Sequence, residues 1–130
     1  MELHVPDFAV TKKFYKDLGF IVVWEKKPSE RKGYLVMRRG DSIINFYCGN
    51  NHVYEQEYFK NFPDNTKKGY ATEIIIPIDN IENFYKKIYR KYKDKVVGPL
   101  RKRFSKLDFR MTDLFGFYLR FVERYDWVNK

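Results

Sequence analysis

Side chains able to recognise a small molecule recur at every second position of several runs of strand-forming residues. They are Tyr34, Arg38, Asn45 and Tyr47 in the first half of the chain, and Glu73, Arg110, Tyr118 and Arg120 in the second. Aromatic rings mixed with a few polar groups are typical of a ligand pocket, in which the polar groups orient the ligand. An antiparallel sheet with one face exposed to water shows the same alternation, so both interpretations stay open.

Residues suited to nucleophilic catalysis are scarce. The chain has two histidines, His4 and His52, and one cysteine, Cys48, which lies in an apolar run typical of a core. These residues do not assemble into a Ser-His-Asp or Cys-His arrangement. A metal-independent enzyme would have only Glu73 or His4 as its general base. We therefore predict no catalytic residue and no cofactor.

The first of two similar segments has the order strand, helix, strand, strand, strand. Asp7 is a typical N-cap, and apolar residues at helical spacing predict a helix from about 8 to 17 that ends at Gly19. Strands are predicted over 2–5, 20–25, 33–39 and 42–48. Gly40-Asp41 fits a two-residue hairpin turn between the last two strands.

The second segment repeats this order. A strand over 72–78 leads to Asp79 and Glu82, whose spacing predicts a capping box at the start of a helix. The apolar face of that helix comprises Ile81, Phe84, Tyr85, Ile88 and Tyr89. Strands follow at 96–97, 107–112 and 117–123. The repeated order predicts an α+β fold built from two βαβββ modules.

We assign the whole chain, 1–130, to a single domain. Module 1 covers about 1–49, a polar linker about 50–69, module 2 about 70–124 and a tail 125–130. One helical turn is expected around 54–59 of the linker. The tail carries Tyr125 and Trp127, which we expect to cover a sheet edge or to join a subunit contact.

Composition limits the class of protein. An aromatic content of 19% gives a chain of 130 residues ample surface to bury, which predicts a folded protein. No apolar run approaches the roughly 20 residues that span a bilayer, so we expect a cytoplasmic protein without membrane contact. The net charge is +9, with basic residues dense over 86–95 and 101–103. This density raises nucleic-acid binding as an alternative, although a solvated helix face shows the same pattern.

Several motifs resemble those of the bleomycin resistance proteins in the glyoxalase, or vicinal-oxygen-chelate, superfamily. They are Val5-Pro6-Asp7-Phe8, the FY-x-x-LGF phrase over 14–20, Gly33-Tyr34-Leu35-Val36, Arg39-Gly40-Asp41 and Ile44-Asn45-Phe46-Tyr47. The resemblance covers nearly the whole chain. It implies that the two modules form an open, cup-shaped mixed sheet, in a homodimer with ligand clefts at the subunit interface.

The resemblance also identifies where enzymes of this superfamily hold a divalent metal. The first of the four ligand positions falls before Met1, and the others hold Asn45, Glu73 and Arg120. Arginine has no lone pair to donate and repels a cation, so we expect no metal. We predict instead that Glu73 and Arg120 pair with each other where the metal would lie.

Aromatic rings near the dimer cleft stack on the flat part of the drug in the bleomycin-binding relatives. Phe104 and Trp24 occupy the matching positions here. The net charge of +9 favours an anionic over a cationic ligand. The predicted function is non-catalytic binding of a small molecule, either a bleomycin-group drug or a planar or anionic aromatic compound. A metal-dependent or metal-independent enzyme of the superfamily is the alternative, followed by a nucleic-acid-binding module.

Overall fold

The computed structural model describes residues 1–124, in two compact units that divide between Thr66 and Lys67. Each unit contains one α-helix and a four-stranded mixed sheet, so the predicted α+β class and the repeated βαβββ order are confirmed. The helices are α1 (Phe8–Asp17) and α2 (Ile81–Tyr92). The strands are β1 (Glu2–Val5), β2 (Ile21–Lys26), β3 (Gly33–Arg39), β4 (Ser42–Cys48), β5 (Ile74–Ile78), β6 (Val96–Arg103), β7 (Lys106–Thr112) and β8 (Tyr118–Glu123).

The first sheet has the order β1-β4-β3-β2, with β1 parallel to β4 and the other pairs antiparallel. One face is apolar and packs against α1, where the ring centroids of Tyr15 and Phe46 lie 4.9 Å apart. The buried residues of this face are those expected from alternation, namely Leu35, Met37, Ile44, Phe46 and Cys48. We call the opposite side, which α1 does not cover, the open face of the first sheet.

Both ends of α1 have side-chain or backbone caps that the sequence predicts. Asp7 accepts a hydrogen bond from the Val10 N–H at 3.1 Å, as an N-cap does. At the other end Gly19 adopts a φ of 93°, which allows the Phe20 N–H to donate to the Tyr15 carbonyl at 2.9 Å. This bond and the packing of Phe20 on Tyr15 define a Schellman motif, which directs the chain into β2.

A β-bulge in β2 decides which way Trp24 faces. Val22 pairs with Met37 of the apolar face, whereas Trp24 pairs with Val36 of the open face, and the register shifts between them. The extra residue is therefore Val23, because strict alternation would have turned Trp24 to the same side as Val22. The bulge brings Trp24 to the open face.

The second sheet has the order β5-β8-β7-β6, with β5 parallel to β8. Its apolar face packs against α2, where the Phe84 ring lies 5.0 Å from that of Phe121. We call the opposite side the open face of the second sheet. A tight turn joins β7 to β8, in which the buried Asp113 accepts hydrogen bonds from the backbone N–H groups of Phe115 and Phe117, both at 2.9 Å.

Four local expectations were wrong or incomplete. Asn80, not Asp79, precedes α2, and its left-handed backbone leaves no side-chain cap, so no capping box forms. Tyr89 is exposed, whereas Ile81 and Ile88 of the same helix face are buried. Strand β6 extends to Arg103, well beyond the predicted 96–97. The linker contains two short 3-10 helices, 51–55 and 59–61, on either side of the expected turn.

The predicted linker boundaries stay a prediction, and the predicted role of Tyr125 and Trp127 lies outside the described residues. No helix within residues 1–124 is long and apolar enough to cross a membrane.

Candidate ligand-binding site

Aromatic rings form a continuous row across the open face of the first sheet. His4 on β1 lies 5.0 Å from Tyr47 on β4, and Tyr47 lies 6.3 Å from Tyr34 on β3, measured between ring centroids. Trp24 on β2 continues the row, 6.2 Å from Tyr34. Because neighbouring strands lie about 4.8 Å apart, rings on four strands span ~14 Å. We call these four rings the aromatic row, and its length suits a planar molecule of two or three fused rings.

Hydrogen bonds hold the central ring of the row in place. The Tyr34 hydroxyl donates to the Glu2 carboxylate and accepts from the Asn45 side-chain amide at 3.0 Å. The bond to Glu2 is the main reason why the pKa of Tyr34 is raised above its usual value of 10.0. Since the ring is oriented before a ligand arrives, binding pays less conformational entropy.

His4 is part of the row as a neutral ring. Burial lowers its pKa from the usual 6.5, and Glu2, whose Oε2 lies 3.4 Å from Nε2, only partly opposes this. The Phe59 ring packs edge-on against His4 at 4.9 Å. The Nδ1 atom of His4 is buried and has no hydrogen-bond partner within residues 1–124. A neutral imidazole between two aromatic rings behaves here mainly as an apolar contact surface.

Charged side chains form a network of three ion pairs on the open face of the second sheet. Arg120 binds Asp108 through Nε at 3.0 Å and Nη2 at 2.9 Å, both to Oδ2. Arg110 binds Glu73 through Nε at 2.5 Å, and its Nη1 lies 3.5 Å from Asp108 Oδ1. The Asp108 side chain is 0% exposed, and those of Arg110 and Arg120 are 13% and 21% exposed.

The predicted pairing of Glu73 with Arg120 is therefore wrong. Arg110 and Arg120 are direct cross-strand neighbours on β7 and β8. Like charges in that position repel, and each arginine donates its hydrogen bonds to a different carboxylate. Arg110 binds Glu73, and Arg120 binds Asp108, which lies on the same face of β7 as Arg110.

A cleft of about 550 Å³ lies at one end of the same face. The segment 67–73 forms one wall, and Val97, Thr112, Gly116 and Tyr118 form the rest of its lining. Glu73 and Tyr118 were predicted site residues, whereas Lys67 and Thr72 were not. Nothing in the sequence distinguishes these two residues as site residues. Lys67 lies in the predicted polar linker, and Thr72 is the first residue of a predicted strand.

The remaining predicted residues lie apart from these groups. Phe104 occupies the turn between β6 and β7, is 94% exposed and has a φ of 48°. It is at the opposite end of β7 from Thr112 and the cleft. Arg38 is exposed near the β3–β4 turn, where its Nη1 donates to the Gly40 carbonyl at 3.4 Å. Of the ten predicted ligand-binding residues, five therefore lie on the first unit and five on the second.

The donor set does not fit a divalent metal. Of the positions carried over from the superfamily, Asn45 donates to Tyr34, Glu73 binds Arg110, and Arg120 is held on Asp108. A guanidinium at such a position would repel a cation. Within residues 1–124, no three His, Cys, Asp or Glu side chains are grouped so as to hold a metal ion.

Comparison with solved structures identifies the fold. The chain is similar to the bleomycin resistance determinant of transposon Tn5 (17% identity, TM-score 0.62, covering 96% of this chain and 95% of that one). It is similar to a bleomycin-binding protein complexed with bleomycin (18% identity, TM-score 0.61, covering 95% of each chain). A glyoxalase family protein from Enterococcus faecalis has 19% identity and a TM-score of 0.66, covering 95% of this chain and 94% of that one.

These likenesses confirm the resemblance seen in the sequence at the level of the fold. The chain has the glyoxalase/bleomycin resistance fold, with two four-stranded mixed sheets. No protein-family model matches the chain, and no curated protein matches it in sequence. Proteins with this fold include both resistance proteins and glyoxalase-type proteins, so the function has to be argued from the side chains on the open faces.

Proposed function

We propose that this protein binds a small planar molecule and releases it unchanged, as a sequestering protein does. The aromatic row on the first sheet carries the proposal. Its rings lie on four adjacent strands and alternate with only a few polar groups, which is the composition of a site that stacks a flat ligand. The bleomycin-bound protein of the same fold supports a ligand-binding role, with drug resistance as one biological setting.

Binding of a matched series of naphthalenes tests this proposal. The probes are 2-naphthamide, 2-naphthoate and 2-naphthylmethylammonium, with bleomycin as a fourth ligand, measured by calorimetry. We expect Trp24→Leu to weaken naphthalene binding ~3- to 10-fold, because a lost aromatic pair costs about 0.5–1.5 kcal/mol beyond buried area. Phe62→Leu is the matched control, since Phe62 is a similarly exposed ring outside the row.

Three outcomes would contradict the proposal, two of them in binding and one in the chemistry of the ligand. The first two are that no planar probe binds the wild-type protein, and that Trp24→Leu and Phe62→Leu weaken binding equally. The third is chemical change in the ligand. After a long incubation of each probe with the protein, mass spectrometry should detect only the unchanged starting compound.

A metal-independent enzyme is the second candidate function, and the pair of Glu2 and His4 favours it. His4 is neutral and its Nε2 lies 3.4 Å from the Glu2 carboxylate, so it is able to accept a proton from a bound ligand. Turnover of any probe that is lost in His4→Phe and retained in His52→Phe would support this candidate.

We also propose a homodimer, as the resemblance implies. Exposed apolar side chains on the first unit, such as Ile21, Val23 and Ile43, would be covered in such an assembly. Sedimentation equilibrium gives the mass directly. A species of 15.9 kDa at all concentrations up to the millimolar range would contradict the dimer.

A further inference from the structure

Four arginines project from the open face of the second sheet. Arg110 and Arg120 lie opposite each other on β7 and β8. On the edge strand β6, Arg101 lies opposite Asp108 and Arg103 lies opposite Lys106. Because Asp108 and Lys106 are on the open face, the side chains of Arg101 and Arg103 lie on the open face as well. The sequence grouped 101–103 with the basic residues of α2, but the register of β6 separates them.

The charges on this face do not balance. Among the described residues, two carboxylates lie on this face, Asp108 on β7 and Glu73 just before β5, and they are already paired with Arg120 and Arg110. Within residues 1–124, Arg101 and Arg103 have no acidic partner on this face. The face therefore has a surplus of positive charge, which lies near the β6–β7 turn, at the opposite end of β7 from the cleft.

Two polar atoms on the same face lack hydrogen bonds within residues 1–124. They are Nε of Arg103, a buried donor, and Oδ1 of Asp108, a buried acceptor. A buried guanidinium N–H without an acceptor is unfavourable, and an oxygen anion beside Arg103 would satisfy it. Asp108 holds Arg120 at two nitrogens, which leaves the remaining edge of that guanidinium for a second acceptor.

We infer that this arginine face binds the anionic group of a small molecule, a carboxylate, sulfonate or phosphate. The site lies within the second unit and goes beyond the proposed function, which rests on the aromatic row of the first unit. A nucleic acid fits less well, because its phosphate backbone is contacted by protruding cations and Arg110 and Arg120 are mostly buried. The basic residues of α2 lie on the other side of the sheet, since α2 packs on the apolar face.

The test compares Arg103→Gln with Lys87→Gln. Both variants remove one positive charge, but Lys87 is an exposed residue of α2. In the wild-type protein and in Lys87→Gln, 2-naphthoate should bind at least about 10-fold more tightly than 2-naphthamide, the neutral analogue. In Arg103→Gln the two probes should bind within about 3-fold of each other. Calorimetry at constant ionic strength measures these ratios.

Inorganic pyrophosphate separates this inference from the proposed function. At millimolar concentration and matched ionic strength, it should raise the Tm of the wild-type protein by about 3 °C or more, and should not stabilise Arg103→Gln. If 2-naphthamide binds as tightly as 2-naphthoate, the inference is overturned and the proposed function stands. If neither naphthalene binds but pyrophosphate stabilises through Arg103, the inference stands and the proposed function fails.

Two further outcomes overturn the inference. One is that pyrophosphate does not raise the Tm of the wild-type protein, or that it raises the Tm of Arg103→Gln and Lys87→Gln equally. The other is that a DNA duplex binds far more tightly than pyrophosphate and loses this affinity in Arg103→Gln, which would make a nucleic acid the anionic partner. Circular dichroism of each variant establishes that it is folded before binding is measured.

Discussion

The ion pair between Asp108 and Arg120 makes a quantitative prediction about stability. Asp108 has no exposed surface, and Arg120 donates to its Oδ2 through two nitrogens at 3.0 and 2.9 Å. Removing one partner of a buried pair leaves the other desolvated, which costs about 3–5 kcal/mol. Because the Arg120 side chain is 21% exposed, water can partly compensate it, and we expect a loss of about 3 kcal/mol for Asp108→Asn.

Double-mutant cycles isolate the interaction from the other effects of each substitution. We expect a coupling free energy of about 1.5–3 kcal/mol between Asp108→Asn and Arg120→Gln, typical of a charged hydrogen-bonded pair. The cycle between Glu73→Gln and Arg120→Gln should give less than about 0.5 kcal/mol, since Glu73 is bound to Arg110. Urea unfolding followed by circular dichroism provides each free energy of unfolding, with the m-value as a check for two-state behaviour.

The result that would refute this reasoning is a larger coupling for Glu73 with Arg120 than for Asp108 with Arg120. Such a result would mean that the two arginines exchange carboxylates in solution. A cycle between Glu73→Gln and Arg110→Gln serves as the positive control. Its coupling should exceed that of Glu73 with Arg120, although Glu73 is partly exposed and solvent weakens the pair.

Three further predictions concern stability and titration. Gly19→Ala should lower the free energy of unfolding by about 1–2 kcal/mol in a urea titration, since a φ of 93° is unfavourable for residues with a Cβ. Tyr34 should titrate above 10.0 by ultraviolet absorbance and at lower pH in Glu2→Gln, so its contribution to stability is present below pH 10.0 and is lost as pH rises through the folded-state pKa. His4 should titrate below 6.5 by NMR, so stability falls as pH drops from about 6.5 to the folded-state pKa.

The elements that were predicted within a residue or two depend on local signals. The bounds of α1 follow from the Asp7 cap, the spacing of its apolar residues and Gly19, all within one short segment. Alternation likewise identified the buried residues of β3 and β4. The expected capping box at Asp79 failed because Asn80 adopts a left-handed conformation, and Asp79 instead binds Arg124, 45 residues later in the chain.

The candidate site was predicted less completely because it depends on register between strands. Alternation identified Glu73, Arg110 and Arg120 on one face, but the choice of partners followed from which residues lie directly opposite. The bulge at Val23 has no marker in the sequence, so the orientation of Trp24 was reached only through the resemblance. Single-residue shifts of this kind decide which side chains meet.

The positive charge of the chain has different meanings on the two sides of the second sheet. On α2, exposed lysines lie opposite an apolar helix face, as on most solvated helices. On the open face, the β6 register adds two arginines to a pair that is already neutralised by carboxylates. Only the second arrangement concentrates charge among partly buried groups, where an ion pair is less screened than at the surface. This face therefore suits an anionic group better than a cationic one.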